Sequence, residues 1–462
     1  MQPYDLLVVG SGSGNMLPED AIAGLRVAIV ERGDFGGTCL NRGCLPSKMF
    51  VHTADIATAV RTAGRFGVQA ELRGVDWLAV RERVFARVDS TAQRGLDFRR
   101  DGPVDVLLGE AHFTGPRTLE IDGREVSAHR ILLAAGSRPQ TPPIDGLDGV
   151  AFHTSDTIMR IDALPASMVI VGGGPVAAEM SHVFGALGTE VTIVHQGPRL
   201  LDTLDTEIAQ RFTDIAATRG AVWCSSVVTT VARDGDGVSV TLKTGDETHE
   251  VRAGVLLIAT GRVPNTDALD VARAGIDTDE HGHVVTDAAC ATSAPGVWAI
   301  GDLANHYQLK HVANDEMQVA LYNALHDGEP RRTPHRIVPS AVFTNPQVAS
   351  VGPTERTLRE AGVPYAAARH DYADTGYGWA LEDTTGFFKV LADPDSGLIL
   401  GAHAIGPDAS IILQPLVQAM SLGTTVAQLA HDVLYIHPAL TELVAQTLLE
   451  FPDAISAAPE WA

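Results

Sequence analysis

Two short apolar stretches, each followed at once by a glycine-rich turn, constrain the fold of this chain more than any other feature. Residues 4–10 read YDLLVVG and lead into GSGSGN at 10–15, while residues 168–171 lead into GGGPVA at 172–177. A buried strand that ends in such a turn is typical of a dinucleotide-binding unit, because the backbone can approach a pyrophosphate closely. The two motifs, about 160 residues apart, therefore predict two Rossmann-like units.

The first motif departs from the usual pattern at one position. A second strand at 26–30 ends in Glu31, about 20 residues beyond Gly10, where an acid is expected to bind a ribose hydroxyl. Asn15 stands where a third glycine is usual. Because asparagine packs less closely than glycine, we predict that the helix after it starts late or at a shifted angle. The two motifs indicate a flavin adenine dinucleotide and a nicotinamide dinucleotide; a duplicated fold with one inactive site is the alternative.

Cys39 and Cys44 lie in the segment GTCLNRGCLPSK at residues 37–48. On a regular helix, Cα atoms five positions apart are separated by about 8–9 Å, whereas a disulfide requires less than about 7 Å. A bridge between these cysteines therefore requires a broken helix, for which the neighbouring glycines allow. A redox pair is favoured over a metal site, because His52 has no companion ligand. Cys224 and Cys290 are expected to be inert, and no metal site is predicted.

Composition excludes several classes of partner. The net charge of −23 over 462 residues argues against nucleic acid, which requires clustered basic residues. No apolar run of about 18 residues is present, so a membrane-spanning helix is not expected. The first residues, MQPYD, lack the basic start of a signal peptide. We therefore expect a cytoplasmic protein that does not bind membranes.

The remaining pattern predicts an α/β protein whose last part differs from the rest. Helices are expected from Ser47 and over 76–98, and Pro139, Pro142 and Pro143 suggest a boundary near residue 150. The last 125 or so residues combine strands with helices, including one predicted at Ser410–Ser421, and contain no third glycine-rich motif.

The order of motifs along nearly the whole chain resembles that of the class I flavoprotein pyridine nucleotide-disulfide oxidoreductases. The first motif and the cysteine pair are followed by AAG at 134–136, the second motif, ATGR at 259–262, GD at 301–302, and His437-Pro438 with Glu442. Within that class the chain is most similar to the mycothione reductases. The stretches that carry this finer resemblance are GSGSGN at 10–15, HTSDTIMRI at 153–161, LKHVAND at 309–315, YGWALEDTTG at 377–386 and QAMSLG at 418–423.

The resemblance implies two Rossmann-like dinucleotide-binding domains and a C-terminal α/β dimerisation domain. Residues 1–150 would form the first part of the FAD-binding domain and residues 151–266 the NAD(P)H-binding domain. Residues 267–335 would complete the FAD site, and residues 336–462 would form the interface of a homodimer.

The resemblance also assigns the catalytic roles. Cys44 would lie over the flavin as the charge-transfer thiolate, and Cys39 would attack the disulfide substrate. His437, oriented by Glu442, would act as general acid–base on the cysteines of the other subunit. Lys48 would approach the flavin and pair with Glu179 on the helix of the second motif.

The cofactor residues follow in the same way. The flavin would be bound by Gly10, Gly12, Glu31, Thr38, Lys48, Ala111, Gly136, Arg262 and Asp302. The nicotinamide dinucleotide would be bound by Gly172, Gly174, Glu179 and Gly261. The strand at 190–194 ends without an acid, which argues against NADH, so His195, Gln196 and Arg199 are candidates to hold the 2′-phosphate of NADPH.

These expectations converge on an NADPH-dependent, FAD-containing reductase of a small-molecule disulfide, with mycothione as the expected substrate and mycothiol as the product. The alternative is a dihydrolipoamide dehydrogenase, which uses NAD⁺. A mercuric reductase or one of the larger thioredoxin reductases is disfavoured, because the final segment FPDAISAAPEWA contains no cysteine. A non-enzymatic flavoprotein is disfavoured because both cysteines and His437 are present.

Overall fold

The computed structural model describes residues 2–333 and 337–457. The first glycine-rich motif follows the central strand of a seven-stranded sheet. The central strand Tyr4–Val9 pairs in parallel with Val27–Glu31 and Arg124–Leu133. Leu6, Leu7 and Val8 are fully buried, which is usual for a parallel strand covered on both faces. The remaining strands of this sheet are Val104–Leu108, Ala111–Gly115, Thr118–Ile121 and, from the central segment, Val297–Ala299.

The helices that carry much of the candidate site belong to the unit built on this sheet. Asp76 caps the longest of them by accepting a hydrogen bond from the Ala79 amide. The helix predicted to start at Ser47 begins at Cys44 instead, because Pro46 then lies in the first turn, where proline is tolerated. The helices are Gly37–Asn41, Cys44–Thr62, Trp77–Asp101 and Lys310–Leu325.

The segment after the first motif contains no α-helix in the described residues, so the prediction of a late or tilted helix is wrong. Only the short 3₁₀ helix Ser13–Asn15 forms before the strand at Val27. Asn15 and Pro18 disfavour a helix here. The buried Arg99 instead donates to Asn15 Oδ1 at 2.7 Å and to the carbonyl oxygens of Asn15 and Leu17 at 2.6 and 3.1 Å. One guanidinium therefore satisfies backbone groups that a helix would have paired.

The second motif opens a smaller unit with the expected order of strand, turn and helix. Its parallel sheet follows the order Ala221–Trp223, Glu190–Val194, Ser167–Val171 and Val255–Ile258. A three-stranded antiparallel sheet adjoins it, with strands Ser226–Asp234, Gly237–Thr244 and Glu247–Ala253. The helices Pro175–Leu187 and Thr206–Ala217 belong to this unit, and the first packs against Cys44–Thr62. A short antiparallel pair, Ser137–Pro139 with Arg262–Pro264, lies where the chain enters and leaves the unit.

The C-terminal unit is a five-stranded antiparallel sheet covered by helices. The strands follow the order Ser340–Val342, Gln347–Val351, Ile399–Gly406, Phe387–Ala392 and Ala366–Asp371. The single helix predicted over 410–421 is wrong, since the chain forms two helices that are interrupted at Leu413, ahead of Pro415. The helices are Glu355–Glu360, Gly376–Leu381, Ala409–Ile412, Gln414–Leu422, Val426–His431, Glu442–Leu449 and Asp453–Ser456.

The α/β fold class with two Rossmann-like units and a C-terminal α/β unit is confirmed. The domain boundaries at residues 150, 266 and 335 stay a prediction. Among the described residues, none of the helices combines the length and the apolar character that a bilayer crossing requires.

Replacing Arg99 tests the segment that lacks a helix. We expect Arg99→Met to lower the free energy of unfolding by about 2–4 kcal/mol, because buried carbonyl groups lose their donors. The neighbouring Arg100 is exposed, so Arg100→Met is the matched control and should stay within about 0.5 kcal/mol of the parent. Urea denaturation measures both, and equal effects of the two substitutions would contradict the assignment.

Candidate active site

The predicted flavin residues, with the exception of Lys48, meet around a single cavity of about 390 Å³. They come from the first motif, the cysteine segment, the linking strands and the central segment, which are far apart in sequence. Both cysteines line the same cavity. The predicted residues at its surface are Gly10, Gly12, Glu31, Thr38, Ala111, Gly136, Arg262 and Asp302.

Two glycines make the backbone approach that forms the cavity wall. Gly10 has a φ of +105°, and a Cβ atom built on it would lie 2.3 Å from the carbonyl oxygen of Ala134. A Cβ atom on Gly37 would lie 2.6 Å from the Cα atom of Gly12. No larger residue fits at either position without a backbone shift. The resulting cradle of exposed backbone fits the diphosphate of a dinucleotide, which sequence analysis predicted there.

Glu31 already lies in a position that suits a ribose. Its Oε2 atom accepts hydrogen bonds from the amide and hydroxyl of Ser11 at 3.0 and 2.6 Å, and Oε1 accepts from the Gly33 amide. The Ser11 hydroxyl in turn accepts a bond from the Gly36 amide at 2.8 Å. The carboxylate therefore connects the turn at 10–15 with the glycine-containing segment at 33–37. It lies at the end of the second strand, where the acid of this motif normally binds ribose.

Lys310 also lines the cavity, and sequence analysis did not single it out. Its Nζ atom donates to the Ser13 hydroxyl at 2.9 Å, and that hydroxyl donates to Asn314 at 3.0 Å. Burial lowers the pKa of Lys310, against the opposing effect of Asp302. Lys310 is the first residue of its helix and lies beside the first glycine-rich motif, which no α-helix follows. Its ammonium group can therefore supply the positive charge that a helix N-terminus usually offers to a diphosphate. The stretch LKHVAND at 309–315 could have pointed to Lys310, because lysine is scarce in this chain.

A chain of hydrogen bonds fixes the acid expected at the flavin. Ser137 donates its hydroxyl to Asp302 at 2.7 Å and accepts a bond from Arg262 Nε at 2.8 Å. Arg262 also donates to the Ser137 carbonyl oxygen, again at 2.8 Å. Both predicted residues therefore face one end of the cavity through a shared serine.

Cys39 and Cys44 form a disulfide, with Cα atoms 4.6 Å apart. Cys39 lies in the short helix Gly37–Asn41, and Cys44 begins the next helix after a break at Arg42 and Gly43. The broken helix predicted from the spacing is confirmed. By contrast, burial raises the pKa of the Cys224 and Cys290 thiols, which keeps both protonated and unreactive.

Lys48 and Glu179 form an ion pair that joins three segments of the chain. Lys48 Nζ lies 2.6 Å from each carboxylate oxygen of Glu179, whose side chain is buried. The same carboxylate accepts a hydrogen bond from the amide of Phe343 at 3.0 Å, and the ammonium lies over the Phe343 ring. The pair therefore connects the cysteine helix, the helix of the second motif and the start of the C-terminal unit.

The second dinucleotide site is built as the motif requires, but its strand end differs from expectation. A Cβ atom on Gly172 would lie 2.1 Å from the carbonyl oxygen of Ala259, and Gly174 caps the following helix. Gly261 also has a positive φ, of +119°. The predicted phosphate residue His195, however, lies 3.4 Å from Asp202, an acid that the strand-end sequence did not reveal. Gln196 is exposed, and Nε of Arg199 is buried without a hydrogen-bond partner in the part of the chain that the structure describes.

His437 and Glu442 lie together but away from the cysteines. His437 Nδ1 is 2.8 Å from Glu442 Oε1, and the imidazole is 78% exposed. Neither residue lines the cavity that contains Cys39 and Cys44. Leu434 and Ile436 beside them are 98% and 75% exposed, an apolar surface of the kind that a protein partner covers.

Comparisons with known proteins agree over nearly the full length. The pyridine nucleotide-disulphide oxidoreductase family matches residues 4–316, and its dimerisation domain matches residues 338–448. The chain is 45% identical to mycothione reductase from Mycobacterium tuberculosis, over 97% of this chain and 99% of that one. It is 36% identical to mercuric reductase from Streptomyces lividans, over 96% of each chain. The structure of the HOCl-induced flavoprotein disulfide reductase RclA from Escherichia coli, as its Cu(II) complex, superposes with a TM-score of 0.85 at 26% identity, over 97% of this chain and 99% of that one.

The fold and the position of the cysteine bridge define a flavoprotein disulfide reductase. The chain belongs to the pyridine nucleotide-disulphide oxidoreductase family, whose members use FAD and NAD(P)H. It is an oxidoreductase that acts on a disulfide, and its dimerisation domain indicates a homodimer.

Removing the charge of Lys310 tests its place in the flavin site. We expect Lys310→Met to weaken FAD binding by about tenfold, equivalent to about 1.4 kcal/mol, because one charge-assisted contact to the diphosphate is lost. Titration of flavin-stripped protein, followed by the quenching of flavin fluorescence, measures the affinity. Lys243 is exposed on the antiparallel sheet and provides the control Lys243→Met. Unchanged FAD affinity in Lys310→Met would exclude the role.

Proposed function

We propose that this enzyme is an NADPH-dependent reductase that converts mycothione to mycothiol through Cys39 and Cys44. The observation that carries the proposal is the disulfide at the wall of a cavity lined by the predicted flavin residues. The substrate assignment is supported by the 45% identity to mycothione reductase over both chains. It is also supported by the five stretches that distinguish this subgroup in the sequence.

The cysteines carry out the exchange in two steps. When bound, FAD supplies the two-electron transfer from NADPH to the protein. Reduction of the Cys39–Cys44 bond gives two thiols, of which Cys39 attacks one sulfur of the substrate disulfide and releases the first thiol. Cys44 then attacks the mixed disulfide at Cys39, which restores the protein disulfide and releases the second thiol. Two electrons and two protons are therefore consumed for each disulfide reduced.

His437 moves the protons in this scheme. The imidazole takes the proton from Cys39 and returns it to the departing thiolate, while the carboxylate of Glu442 holds the ring through Nδ1 and leaves Nε2 free to exchange protons. Because the ring is exposed and lies apart from the cavity in its own chain, we assign the acid–base role at each cysteine pair to His437 of the partner subunit. Each active site would then require the dimer.

We assign to Lys48, which does not itself line the cavity, a fixed positive charge near the flavin. The ion pair with Glu179 sets its position, because both carboxylate oxygens contact the same ammonium. A cation at this place would stabilise a reduced, anionic flavin ring. Glu179 lies on the helix that the second motif opens, so the pair also brings the nicotinamide unit close to the flavin.

One feature of the nicotinamide site favours a second candidate function. Asp202 beside His195 gives this strand end an acid, which favours an NAD⁺-dependent dihydrolipoamide dehydrogenase. Arg199, whose buried Nε lacks a partner, favours binding of a 2′-phosphate and therefore NADPH. We assign the 2′-phosphate to Arg199 and Gln196, with His195 held by Asp202.

We further propose that the domain boundaries lie near residues 150, 266 and 335 and that the enzyme is cytoplasmic.

Serine variants of the two cysteines test their separate roles. We expect Cys44→Ser to abolish the long-wavelength charge-transfer absorbance on two-electron reduction, because no thiolate remains over the flavin. Cys39→Ser is the matched control and should retain that absorbance, since Cys44 is intact. Anaerobic titration with visible spectroscopy distinguishes the two. Absorbance that persists in Cys44→Ser and disappears in Cys39→Ser would reverse the assignment.

Complementation between two inactive variants tests the position of the histidine. Co-expressed Cys39→Ser and His437→Ala chains should regain about a quarter of the parent activity, since half of the dimers are mixed and each has one complete site. Each variant alone should be inactive. If His437 instead served the cysteines of its own chain, no mixed dimer would hold an intact site, and the co-expressed sample would stay inactive.

A further inference from the structure

A cluster of histidines and an aspartate lies in the central segment, outside the active site. Asp279, His281 and His283 belong to one tight turn, closed by the bond from the Asp279 amide to the His283 carbonyl oxygen at 2.8 Å. Gly282 has a φ of +86° at the turn. His306 approaches from the segment that follows Asp302. No metal site was predicted from the sequence, where metal binding was considered only for the cysteine pair and His52 lacked a companion ligand.

Three side chains of this cluster converge on one point. Asp279 Oδ2 lies 3.6 Å from His283 Nδ1 and 3.4 Å from His306 Nε2. One ligand atom from each residue lies within 4.8 Å of the other two. Ligand atoms around a tetrahedral Zn²⁺ are separated by about 3.3–3.5 Å, given metal–ligand distances of about 2.0–2.1 Å. The two carboxylate–imidazole distances therefore already suit a shared ion.

The carboxylate of Asp279 is oriented for this task by the turn itself. Its Oδ1 atom accepts hydrogen bonds from the amides of His281 and His283 at 2.9 and 2.8 Å. Oδ2 is consequently directed at the two imidazoles. Such support of a ligand by backbone donors is usual in metal sites, where it fixes the direction of the ligand.

His283 is the independent observation that points to a ligand. Its side chain is 92% buried, yet neither ring nitrogen has a hydrogen-bond partner among the described residues. A buried imidazole without partners is unfavourable, because its desolvation is not compensated. The ring of His306 contacts the ring of His283 edge-on, with their centroids 4.2 Å apart. The two imidazoles are therefore adjacent without a hydrogen bond between them.

We propose that Asp279, His283 and His306 bind a divalent transition-metal ion, with Zn²⁺ as the ion that the ligand set favours. Two imidazoles and one carboxylate form a three-residue zinc set, and the fourth position is open to water or to His281, whose ring centroid lies 5.7 Å from that of His306.

The bound ion would stabilise the segment that carries Asp302. Val284 donates its amide to the Leu303 carbonyl oxygen at 2.9 Å, so the turn already lies against that segment. Glu316 holds the other side, through the Gly301 amide at 2.6 Å and Asn305 at 2.9 Å. A metal that joins His306 to the turn would fix the segment at a third point. The ion therefore has a structural role beside the flavin site rather than a part in the disulfide chemistry.

Zinc binding to the untagged, oxidised holoenzyme tests the proposal, because the disulfide prevents the active-site cysteines from competing. Isothermal titration calorimetry with Zn²⁺ should show one site per chain. His306→Ala should weaken that site at least about 100-fold, since removal of a supporting partner alone costs about 10–100-fold. His306 is 65% exposed, so the variant should fold. His326→Ala, at the exposed histidine that follows the helix Lys310–Leu325, is the control and should bind like the parent.

Asp279→Asn provides a second, gentler test. The amide oxygen can still accept the two backbone bonds of the turn, while the carboxylate ligand is lost. We expect the same loss of zinc affinity and the loss of the zinc-dependent rise in the thermal unfolding temperature. Zinc binding that is absent in the parent, or that survives both substitutions unchanged, would overturn the proposal.

Discussion

The backbones of Gly12 and Gly37 pass so close that no side chain fits between them, and much of the active site depends on that contact. The space for a Cβ atom at Gly37 is only 2.6 Å from the Cα atom of Gly12. This approach places the helix Gly37–Asn41, and with it Cys39, against the turn of the first motif. The break at Arg42 and Gly43 then brings Cys44 back to its partner, so the disulfide forms part of the cavity wall. Electron transfer from flavin to disulfide requires that proximity.

Individual basic residues of this acidic chain hold together the segments around the cofactor sites. Lys48 is committed to Glu179, whose buried carboxylate also binds the Phe343 amide, so three units share one ion pair. Arg99 replaces the hydrogen bonds of a missing helix, and Lys310 replaces its positive end. Lys310 lines the first dinucleotide site, whereas Arg99 donates to the backbone that follows its turn and does not line the cavity. Asp302 lies between this site and the proposed zinc site, and both would limit the movement of its segment.

Sequence reasoning succeeded where a local pattern determines local structure. The two strand–turn motifs and the broken helix at the cysteine pair followed from residues that are adjacent in the chain, and the family followed from the order of such motifs along it. It failed where distant residues decide the outcome. Asn15 suggested a displaced helix, whereas this segment forms no helix and its backbone is satisfied by Arg99, more than 80 residues away. Asp202 approaches His195 from the following loop, so the strand end alone was misleading. The cluster of Asp279, His283 and His306 likewise exists only after folding.

The most direct test of the account is steady-state turnover of the purified enzyme with mycothione, glutathione disulfide and lipoamide, each with NADPH and with NADH. We expect mycothione to be the preferred substrate and NADPH to be the preferred nucleotide. In that case Arg199→Leu should reduce kcat/KM for NADPH by about tenfold or more while leaving that for NADH nearly unchanged. Preference for lipoamide with the non-phosphorylated nucleotide would contradict the assignment and identify a dihydrolipoamide dehydrogenase, in which Asp202 rather than Arg199 determines the nucleotide.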